Sequence, residues 1–449
     1  MSQGGRHRLL GIVALVLTLA CDSSESPVAE ADPDAAKVPP AGGASLELSW
    51  PPKGVEPAKN ALLIVVDTTR DDAVRAAATP RLDAIAAAGV RVERAWAGGT
   101  WTVPSVVSLL TGRFVRHHGW DAPAARMGSY PPLPDVPRLP EVLREFGFST
   151  VGLYANPYLS EPLGFDRGFD QWKRAGDKQM ARQLGKKVAE LWTEDGRHFA
   201  YVHLLGPHSP LRPSDAARER WKVDARWFEG AHGFTVGAAK RNQKVGTRDA
   251  YRAAYHAVIE DTDAVVGAVV EALGEYRKDT LIIVTSDHGE LLGEHGQAGH
   301  GWWLYEPLTH VPLIVDHPHA SGDLEKLPPQ LSNVAVPDLI TRALGLQVSW
   351  PVTLADAPLL ASQRDGREAI AFDGHTKVVW DERLADFSPV AFDLDADPAE
   401  ASPSQTPADL DERLRAFDAR HPRPAVVDTA GQPLSPETQD QLKLLGYAE

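Results

Sequence analysis

Two short runs of aliphatic and β-branched residues each end on side chains that can bind a metal ion. The run ALLIVVD occupies residues 61–67 and ends at Asp67, whereas TLIIVTSDH occupies residues 280–288 and ends at Asp287 and His288. Runs of this length and composition are typical of strands buried in a parallel sheet. Because ligands bind beyond the carboxyl ends of such strands, the pattern predicts one rim that carries two carboxylates and an imidazole.

The rest of the chain alternates between strand-like and helix-like stretches. Further strands are predicted at residues 90–95, 149–154, 198–205 and 311–315, and helices at residues 80–88, 140–146 and 249–273. This alternation predicts an α/β fold, a doubly wound and mostly parallel sheet with helices on both faces.

The alternation weakens after about residue 325. Strand-like pieces lie close together at residues 369–372, 377–380 and 390–392, and a helix-like piece follows at residues 408–419. These pieces predict a small C-terminal antiparallel sheet and a helix that pack on the main domain.

The first residues have the pattern of an export signal. Basic residues at Arg6 and Arg8 precede an apolar run over 9–19, and the only cysteine of the chain follows at Cys21. The apolar run is too short to cross a bilayer as a helix. Its ending, LTLAC, resembles a bacterial lipoprotein box, which implies a lipid on Cys21 at the mature N-terminus. The alternative is a plain cleaved signal with an incidental cysteine.

We therefore expect an exported protein of the cell envelope that is lipid-anchored to a membrane, at its periplasmic face or in the outer membrane. Four segments are predicted along the chain: a lipoprotein signal peptide at 1–21, a flexible linker at 22–57, a main domain at 58–325 and a C-terminal subdomain at 326–449. The linker is predicted because the stretch after the cysteine is rich in Asp, Glu, Ser, Ala and Pro and has no apolar periodicity.

The net negative charge of the chain limits the kinds of molecule that it is expected to bind. The formal net charge is −15 at pH 7 over 449 residues. A nucleic-acid-binding protein needs a basic face, so no nucleic-acid partner is expected. An anionic substrate needs a strong local source of positive charge, such as a bound metal ion, to offset the field of the whole protein.

The segment TWTVPSVVSLLTGR, residues 100–113, predicts a helix with a hydroxyl near its start. Pro104 suits the first turn and Gly112 ends the helix, so Thr102 is expected just ahead of the N-terminus. The free amides and the helix dipole there favour an anionic group close to that hydroxyl. A hydroxyl in this place either caps the helix or acts as a nucleophile, and from this segment alone capping is favoured.

The same segment is similar to the signature of the sulfatase family in the alkaline phosphatase superfamily. In that signature Cys or Ser is followed by x-Pro-Ser-Arg and by a Leu-Thr-Gly-Arg ending, and here Pro104, Ser105 and residues 110–113 match. Further stretches resemble the family in the same order, at residues 64–72, 202–210, 285–315, 391–400 and 435–449. The resemblance implies an alkaline phosphatase-like fold and a sulfatase-like catalytic domain over residues 58–325.

Two departures from the signature change the expected chemistry. Sulfatases oxidise the signature Cys or Ser to formylglycine, but this chain has Thr102 at that position and Val106 in place of the signature arginine. No formylglycine is therefore expected. In related branches of the superfamily a threonine alkoxide is itself the nucleophile, and the resemblance implies that role for Thr102.

The resemblance also implies one divalent metal ion. Asp67, Asp287 and His288 would bind it, with Thr102 as a fourth ligand. A threonine hydroxyl needs a metal or a base to lose its proton at neutral pH, and such an ion would lower its pKa and polarise an ester oxygen. Thr68 stands where many sulfatases have a second aspartate, which lowers the negative charge, so Mn²⁺ and Zn²⁺ join Ca²⁺ as candidate ions.

Four basic residues are assigned roles by the resemblance. His208 would face the substrate as leaving-group acid or anion clamp, and His300, between two glycines, would touch the sulfate or phosphate group. Arg70 and Arg113 would bind substrate. An exposed loop arginine is the alternative for Arg70, and a brace for the nucleophile loop is the alternative for Arg113. His203 is expected to be a hydrogen-bonded core histidine.

The sequence thus predicts a metal-dependent sulfatase-like hydrolase of sulfate, phosphate or phosphonate esters, with phosphoryl transfer to an acceptor alcohol as an option. The competing hypothesis is a catalytically silent protein that keeps the fold and binds a sulfated or phosphorylated ligand. The loss of Cys and Arg from the signature motivates that alternative, and the retention of the histidines and aspartates speaks against it.

Overall fold

The computed structural model describes most of the chain after residue 49. The described residues are 50–120, 129–130, 133–228, 234–237, 245–320, 327–354, 359–362, 367–372, 375–381, 389–420, 432–433 and 435–444. The predicted signal peptide, Cys21 and most of the predicted linker lie outside them. Within the described residues, no helix combines the length and the apolar character that crossing a membrane requires.

The strands are β1 Asn60–Val66, β2 Val90–Arg91, β3 Arg94–Trp96, β4 Ser129–Tyr130, β5 Phe148–Tyr154, β6 Gln171–Arg174, β7 Arg197–Leu204, β8 Thr280–Thr285, β9 Leu291–Leu292, β10 Ala298–Gly299, β11 His310–Val311, β12 Leu313–Asp316, β13 Gln330–Ser332, β14 Leu359–Ser362, β15 Arg367–Phe372, β16 Thr376–Asp381, β17 Val390–Asp393, β18 Ser404–Gln405 and β19 Gln432–Pro433.

The helices are α1 Asp71–Ala76, α2 Pro80–Ala88, α3 Thr102–Thr111, α4 Val115–His118, α5 Leu139–Glu145, α6 Asp177–Leu191, α7 Asp215–Arg220, α8 Val245–Glu271, α9 Glu306–Thr309, α10 Val336–Ala343, α11 Ala408–Arg420 and α12 Pro436–Leu444.

A seven-stranded central sheet confirms the predicted fold class. Its order is β2-β12-β8-β1-β7-β5-β6, and β8, β1, β7, β5 and β6 are parallel to one another. The strand β12 runs antiparallel to β8 at one side. Side chains of β1 alternate between two cores: Leu63 and Val65 lie in one, and Leu62 and Ile64 in the other. Helices α3 and α10 line the first core, whereas α6 and α8 line the second, so both faces of the sheet are covered.

Two predicted strands are each divided in the structure. The predicted strand at 90–95 bends at Glu93, so that β2 joins the central sheet and β3 joins a separate three-stranded sheet. The predicted strand at 311–315 is interrupted at Pro312, which has no backbone N–H to donate to a ladder. Proline therefore separates β11 from β12, and these two strands pair in different sheets.

The predicted C-terminal antiparallel sheet is present. It contains five strands in the order β14-β15-β16-β17-β18, and the pairings between them are antiparallel. The strand β13 pairs with β3, and Leu339 and Ile340 of α10 lie in the core that α3 lines. The segment boundaries stay predictions.

Candidate active site

The three predicted metal ligands meet at the carboxyl end of the central sheet. Val65 in β1 pairs with Thr285 in β8, so the aspartates two residues further along leave adjacent parallel strands at the same level. One ligand atom each from Asp67, Asp287 and His288 lies within 4.8 Å of the other two, and all three side chains are buried. The register of β1 on β8 is therefore what assembles the cluster.

The orientation of His288 fits a bound cation. Its Nδ1 lies 2.9 Å from the carbonyl oxygen of Gly289 and donates to it, which places the lone pair on Nε2. That Nε2 lies 3.5 Å from Asp67 Oδ1 and 3.6 Å from Asp287 Oδ2. Among the described residues these three atoms have no hydrogen-bond partner. Electron pairs that converge in a buried site repel one another unless a cation lies between them, so the donor set suits a divalent metal ion.

A close backbone approach holds this imidazole in place. Gly289 N donates to the carbonyl oxygen of Leu308 at 2.8 Å. A Cβ on Gly289 would lie only 2.0 Å from the carbonyl oxygen of Pro307. Glycine is thus required at 289 because the loop after β8 passes directly over the chain at the start of α9.

The ionisable groups of the cluster shift one another's pKa values. Burial and the negative charge of Asp67 raise the pKa of Asp287 well above its usual value. Burial acts to raise the pKa of Asp67 too, but the electrostatic interaction with His208 and the hydrogen bond with His203 outweigh it and lower that pKa. Burial and the charge of His300 lower the pKa of His288 to about 3. The imidazole of His288 is therefore neutral, which is the form that binds metal ions.

The sequence predicted that Thr102 lies just ahead of the helix, but Thr102 is the first residue of α3. The residue before the helix is Trp101, and no side-chain cap is formed. The buried hydroxyl of Thr102 instead receives a hydrogen bond from Asn156, whose Nδ2 is 3.2 Å from Thr102 Oγ1 and 2.6 Å from Asp67 Oδ2. The hydroxyl therefore does not cap the helix, and Asn156 links it to Asp67 of the cluster.

Both predicted active-site histidines lie next to the cluster. The ring of His300 is centred 4.5 Å from the ring of His288, and the ring of His208 is centred 5.3 Å from that of His300. His300 Nδ1 is 3.2 Å from Oε2 of the buried Glu290, and His208 Nδ1 is 2.6 Å from the carbonyl oxygen of Ser209. The structure thus brings together three imidazoles at one edge of the sheet.

His203 is a buried, hydrogen-bonded histidine, as predicted, and it also lies close to the cluster. It is buried and hydrogen-bonded to Tyr201, as expected of a core histidine, but its Nε2 lies 3.5 Å from Asp67 Oδ2 and 3.9 Å from Asp287 Oδ2. The reason is strand order: β7 lies beside β1, and His203 pairs with Val65. A polar residue near the end of an apolar strand was the available signal.

Thr68, at the position of the family's second aspartate, contributes through its backbone. Its φ angle is +55°, in the left-handed region that non-glycine residues rarely adopt. This turn directs the Thr68 N–H to Asp287 Oδ1 at 3.2 Å. The loop after β1 thereby holds a ligand that follows β8.

The two predicted substrate-binding arginines are placed differently. Arg70 is buried and donates to both carboxylate oxygens of Asp72, to Glu294 Oε1 and to the carbonyl oxygen of Glu290. These contacts make it a brace between the loops after β1 and β8. Arg113 follows the left-handed Gly112 at the end of α3, and burial lowers its pKa. For both arginines a contact with substrate stays a prediction.

Comparison with known proteins shows which protein family this chain resembles over most of its length. The profile named Sulfatase matches residues 59–346. The low-salt glycan biosynthesis sulfotransferase Agl7 of Haloferax volcanii is 27% identical over 256 residues, which cover 56% of this chain and 51% of that protein. Iduronate 2-sulfatase of Homo sapiens is 25% identical over 363 residues, which cover 61% of this chain and 63% of that protein.

Among solved structures, the phosphonate monoester hydrolase of Agrobacterium radiobacter is similar with a TM-score of 0.63. The sequence identity is 19%, and the match covers 85% of this chain and 100% of that one. At this identity the likeness shows the fold, which confirms the expected alkaline phosphatase-like architecture. The chain spans about half the length of the first curated relative it matches.

Proposed function

The chain belongs to the sulfatase family, and from that membership we propose that it is a metal-dependent hydrolase of sulfuric, phosphoric or phosphonic esters with Thr102 as nucleophile. One observation carries the proposal: a single amide group, Asn156 Nδ2, is within hydrogen-bond distance of both Thr102 Oγ1 and Asp67 Oδ2. A metal ion bound next to an alcohol is one of the arrangements that activate a hydroxyl as a nucleophile.

The metal site is assigned from the donor set. Asp67, Asp287 and His288 would hold one divalent ion, Ca²⁺, Mn²⁺ or Zn²⁺, with Thr102 as a fourth ligand. When bound, such an ion supplies positive charge that favours the threonine alkoxide and polarises an ester oxygen. The orphaned lone pairs of the three side chains support this assignment.

The reaction consists of two displacements at the sulfur or phosphorus atom. In the first, Thr102 Oγ1 forms a bond to that atom, the bond to the ester oxygen breaks, and the alcohol leaves with the proton that Thr102 gives up. In the second, a water oxygen forms the new bond, the bond to Thr102 breaks, and Thr102 regains a proton. Each cycle converts one ester and one water into an alcohol and an acid.

Two histidines are assigned to charge and proton handling. His208 and His300 lie beside the cluster and would protonate the leaving oxygen and hold the anionic oxygens of the substrate. The buried carboxylate of Glu290 orients His300. Because the net charge of the chain is −15, this local set of donors is what would admit an anion.

The chemistry of threonine bears on which class of ester is the substrate. Oxidation of its secondary alcohol gives a ketone and not an aldehyde, so formylglycine is not formed at Thr102. We favour phosphate or phosphonate esters for this reason, and sulfate esters are the second choice. The phosphonate monoester hydrolase and the iduronate 2-sulfatase among the related proteins represent the two classes.

Steady-state assays test this function. The parent protein is assayed with 4-nitrophenyl phenylphosphonate, bis(4-nitrophenyl) phosphate and 4-nitrophenyl sulfate, each with Mn²⁺, Ca²⁺ or Zn²⁺, and compared with Thr102→Ala. Turnover that requires an ion and Thr102 supports the proposal. Absence of turnover with every ester and ion would favour the silent ligand-binding protein.

We also propose that the protein is exported and anchored in the cell envelope by a lipid on Cys21. The support is the basic start, the short apolar run and the single cysteine at its end. The substrate would then be an ester that is accessible outside the cytoplasm.

A further inference from the structure

Asn156 occupies a central place in the site that its sequence position did not indicate. It follows β5, which lies on the far side of β7 from β1, and its side chain is completely buried. Its two amide protons face two acceptors, Asp67 Oδ2 at 2.6 Å and Thr102 Oγ1 at 3.2 Å. A primary amide has two N–H groups that diverge, so both bonds can form together.

The orientation of this amide is fixed by the backbone. Asn156 Oδ1 accepts a hydrogen bond from Tyr158 N at 3.0 Å, at the start of the short helix Pro157–Leu159. The ring of Tyr158 packs against Trp101, which precedes the nucleophile helix, with 6.0 Å between ring centres. Because the oxygen is already bound to a backbone N–H, the nitrogen must face Thr102 and Asp67.

We propose that Asn156 is a positioning residue for the nucleophile. Its N–H bond occupies one lone pair of Thr102 Oγ1 and thereby fixes the directions of the remaining electron pairs of that oxygen. The donor stays available after the hydroxyl proton has left, so the oxygen is held throughout the displacement. This inference rests on the proposed role of Thr102.

A second buried asparagine provides the contrast. Asn60, at the opposite end of β1, is also buried, and its Oδ1 accepts from the backbone N–H of His198. Asn60 therefore satisfies the main chain far from the cluster. Asn156 also bonds a backbone N–H through its oxygen, but within the described part of the chain its nitrogen donates only to Asp67 and Thr102.

The test uses Asn156→Asp and Asn156→Ala, with Asn60→Ala as the matched control. Aspartate keeps an oxygen for Tyr158 N, lacks the pair of N–H donors, and adds negative charge that favours a cation. We expect Asn156→Asp to bind Mn²⁺ at least as tightly as the parent in calorimetry. Its kcat should fall by about 100-fold with KM within a fewfold, since a misplaced reacting group costs about that much. Asn60→Ala should keep the parent kcat.

A double-mutant cycle separates positioning from general damage. In a Thr102→Ala background, Asn156→Asp should change the residual rate by less than about twofold, because residues that act as one unit are non-additive. Rapid-quench mass spectrometry should show slower formation of the Thr102 adduct in Asn156→Asp. If Asn156→Ala does not fold, the aspartate variant decides the question.

The failures are distinguishable. Activity that survives Thr102→Ala overturns the proposed nucleophile. Loss of activity in Thr102→Ala with a parent-like kcat in Asn156→Asp overturns only the role of Asn156. A kcat of Asn156→Asp or Asn156→Ala that saturating Mn²⁺ restores would assign Asn156 to Asp67 alone and would also overturn it.

Discussion

His288 Nε2 faces Asp67 Oδ1 at 3.5 Å while the opposite ring nitrogen, Nδ1, donates to the carbonyl oxygen of Gly289. The lone pairs of His288 Nε2 and Asp67 Oδ1 therefore face each other in a buried site, and Asp287 Oδ2 brings a third lone pair to the same place. Because such a contact is unfavourable without a cation, metal binding should contribute to the stability of the folded protein.

We therefore expect Mn²⁺ to raise the melting temperature of chelator-treated protein. An ion at 100 times its Kd adds about 2.7 kcal/mol to the free energy of unfolding, which should be a rise of a few degrees. Scanning calorimetry with EDTA and with a series of Mn²⁺ concentrations measures it. Asp287→Asn removes one ligand charge and should lose the response. If none of the three candidate ions changes the melting temperature of the parent protein, the proposed metal site is contradicted.

Thr102 variants test the nucleophile. Thr102→Ala should lower kcat by on the order of 10³-fold or more, because it removes the atom that forms the covalent bond. Thr102→Ser keeps a hydroxyl and should retain measurable turnover and a serine-linked adduct by mass spectrometry. Both variants should keep the parent fold by circular dichroism. Equal activity of the serine and alanine variants would show that the hydroxyl is not used.

Gly289→Ala should disrupt the site through the backbone. The added Cβ would lie 2.0 Å from the Pro307 carbonyl oxygen, so the loop must shift and His288 with it. We expect a loss of about 1 to 3 kcal/mol in the free energy of unfolding, typical of forced overpacking, together with weaker Mn²⁺ binding.

Gly246→Ala is the control for that variant. Gly246 lies near the start of α8 with nothing within 4 Å of a built Cβ, so alanine should be neutral or should stabilise the helix by up to about 1 kcal/mol. Urea denaturation of both variants and Mn²⁺ titration make the comparison. Similar effects from the two substitutions would show that the contact at Pro307 has no special cost.

Lys377 attaches the C-terminal sheet to the main domain. Its fully buried ammonium group lies 3.1 Å from Glu306 Oε1 and 2.8 Å from Glu400 Oε1. Lys377→Met should destabilise the protein by about 3 to 5 kcal/mol, because it leaves two carboxylates without their buried cation. Arg81→Met, which breaks the exposed pair with Glu271, should cost less than about 1 kcal/mol in the same urea experiment.

Lys377 also makes the free energy of unfolding depend on pH in a defined direction. Burial acts to lower the pKa of Lys377, but the charges of Glu400 and Glu306 outweigh it and raise the pKa above its usual value of 10.5. A raised pKa in the folded state means that the contribution is complete below pH 10.5 and is lost as the pH rises through the higher folded pKa. The difference between parent and Lys377→Met should therefore shrink at strongly alkaline pH. A constant difference would contradict the charged pair.

Cys21 tests the envelope anchor. On expression of the full chain in a bacterium with lipoprotein processing, the parent should sediment with membranes, because an acyl-modified N-terminus favours the lipid phase. Cys21→Ala should move the protein to the soluble fraction, whereas the Asp22→Ala variant should stay in the membrane fraction. Mass spectrometry of the mature N-terminus identifies the lipid. A parent protein without a lipid would leave a plain cleaved signal as the explanation.

Local signals in the sequence were enough for much of the fold. The apolar runs before Asp67 and Asp287 became β1 and β8, and the helix predicted from Pro80 ends at Gly89 as expected. The corrections concerned breaks within two predicted strands and the first residue of helix α3. Pro312 divides a predicted strand, because pairing depends on which backbone N–H groups meet a neighbour.

The sequence by itself determined the fold class and predicted that Asp67, Asp287 and His288 meet, because buried strands leave periodic and positional patterns in the chain. The role of Thr102 was implied by the resemblance to sulfatases and stays a prediction. Only the tertiary structure decided that Asn156 joins Thr102 to Asp67, that His203 lies beside Asp67, and that Arg70 braces two loops. The physical reason is strand order. Residues of β5, β7 and β1 become neighbours through hydrogen bonding between strands far apart along the chain, and no local pattern records that order.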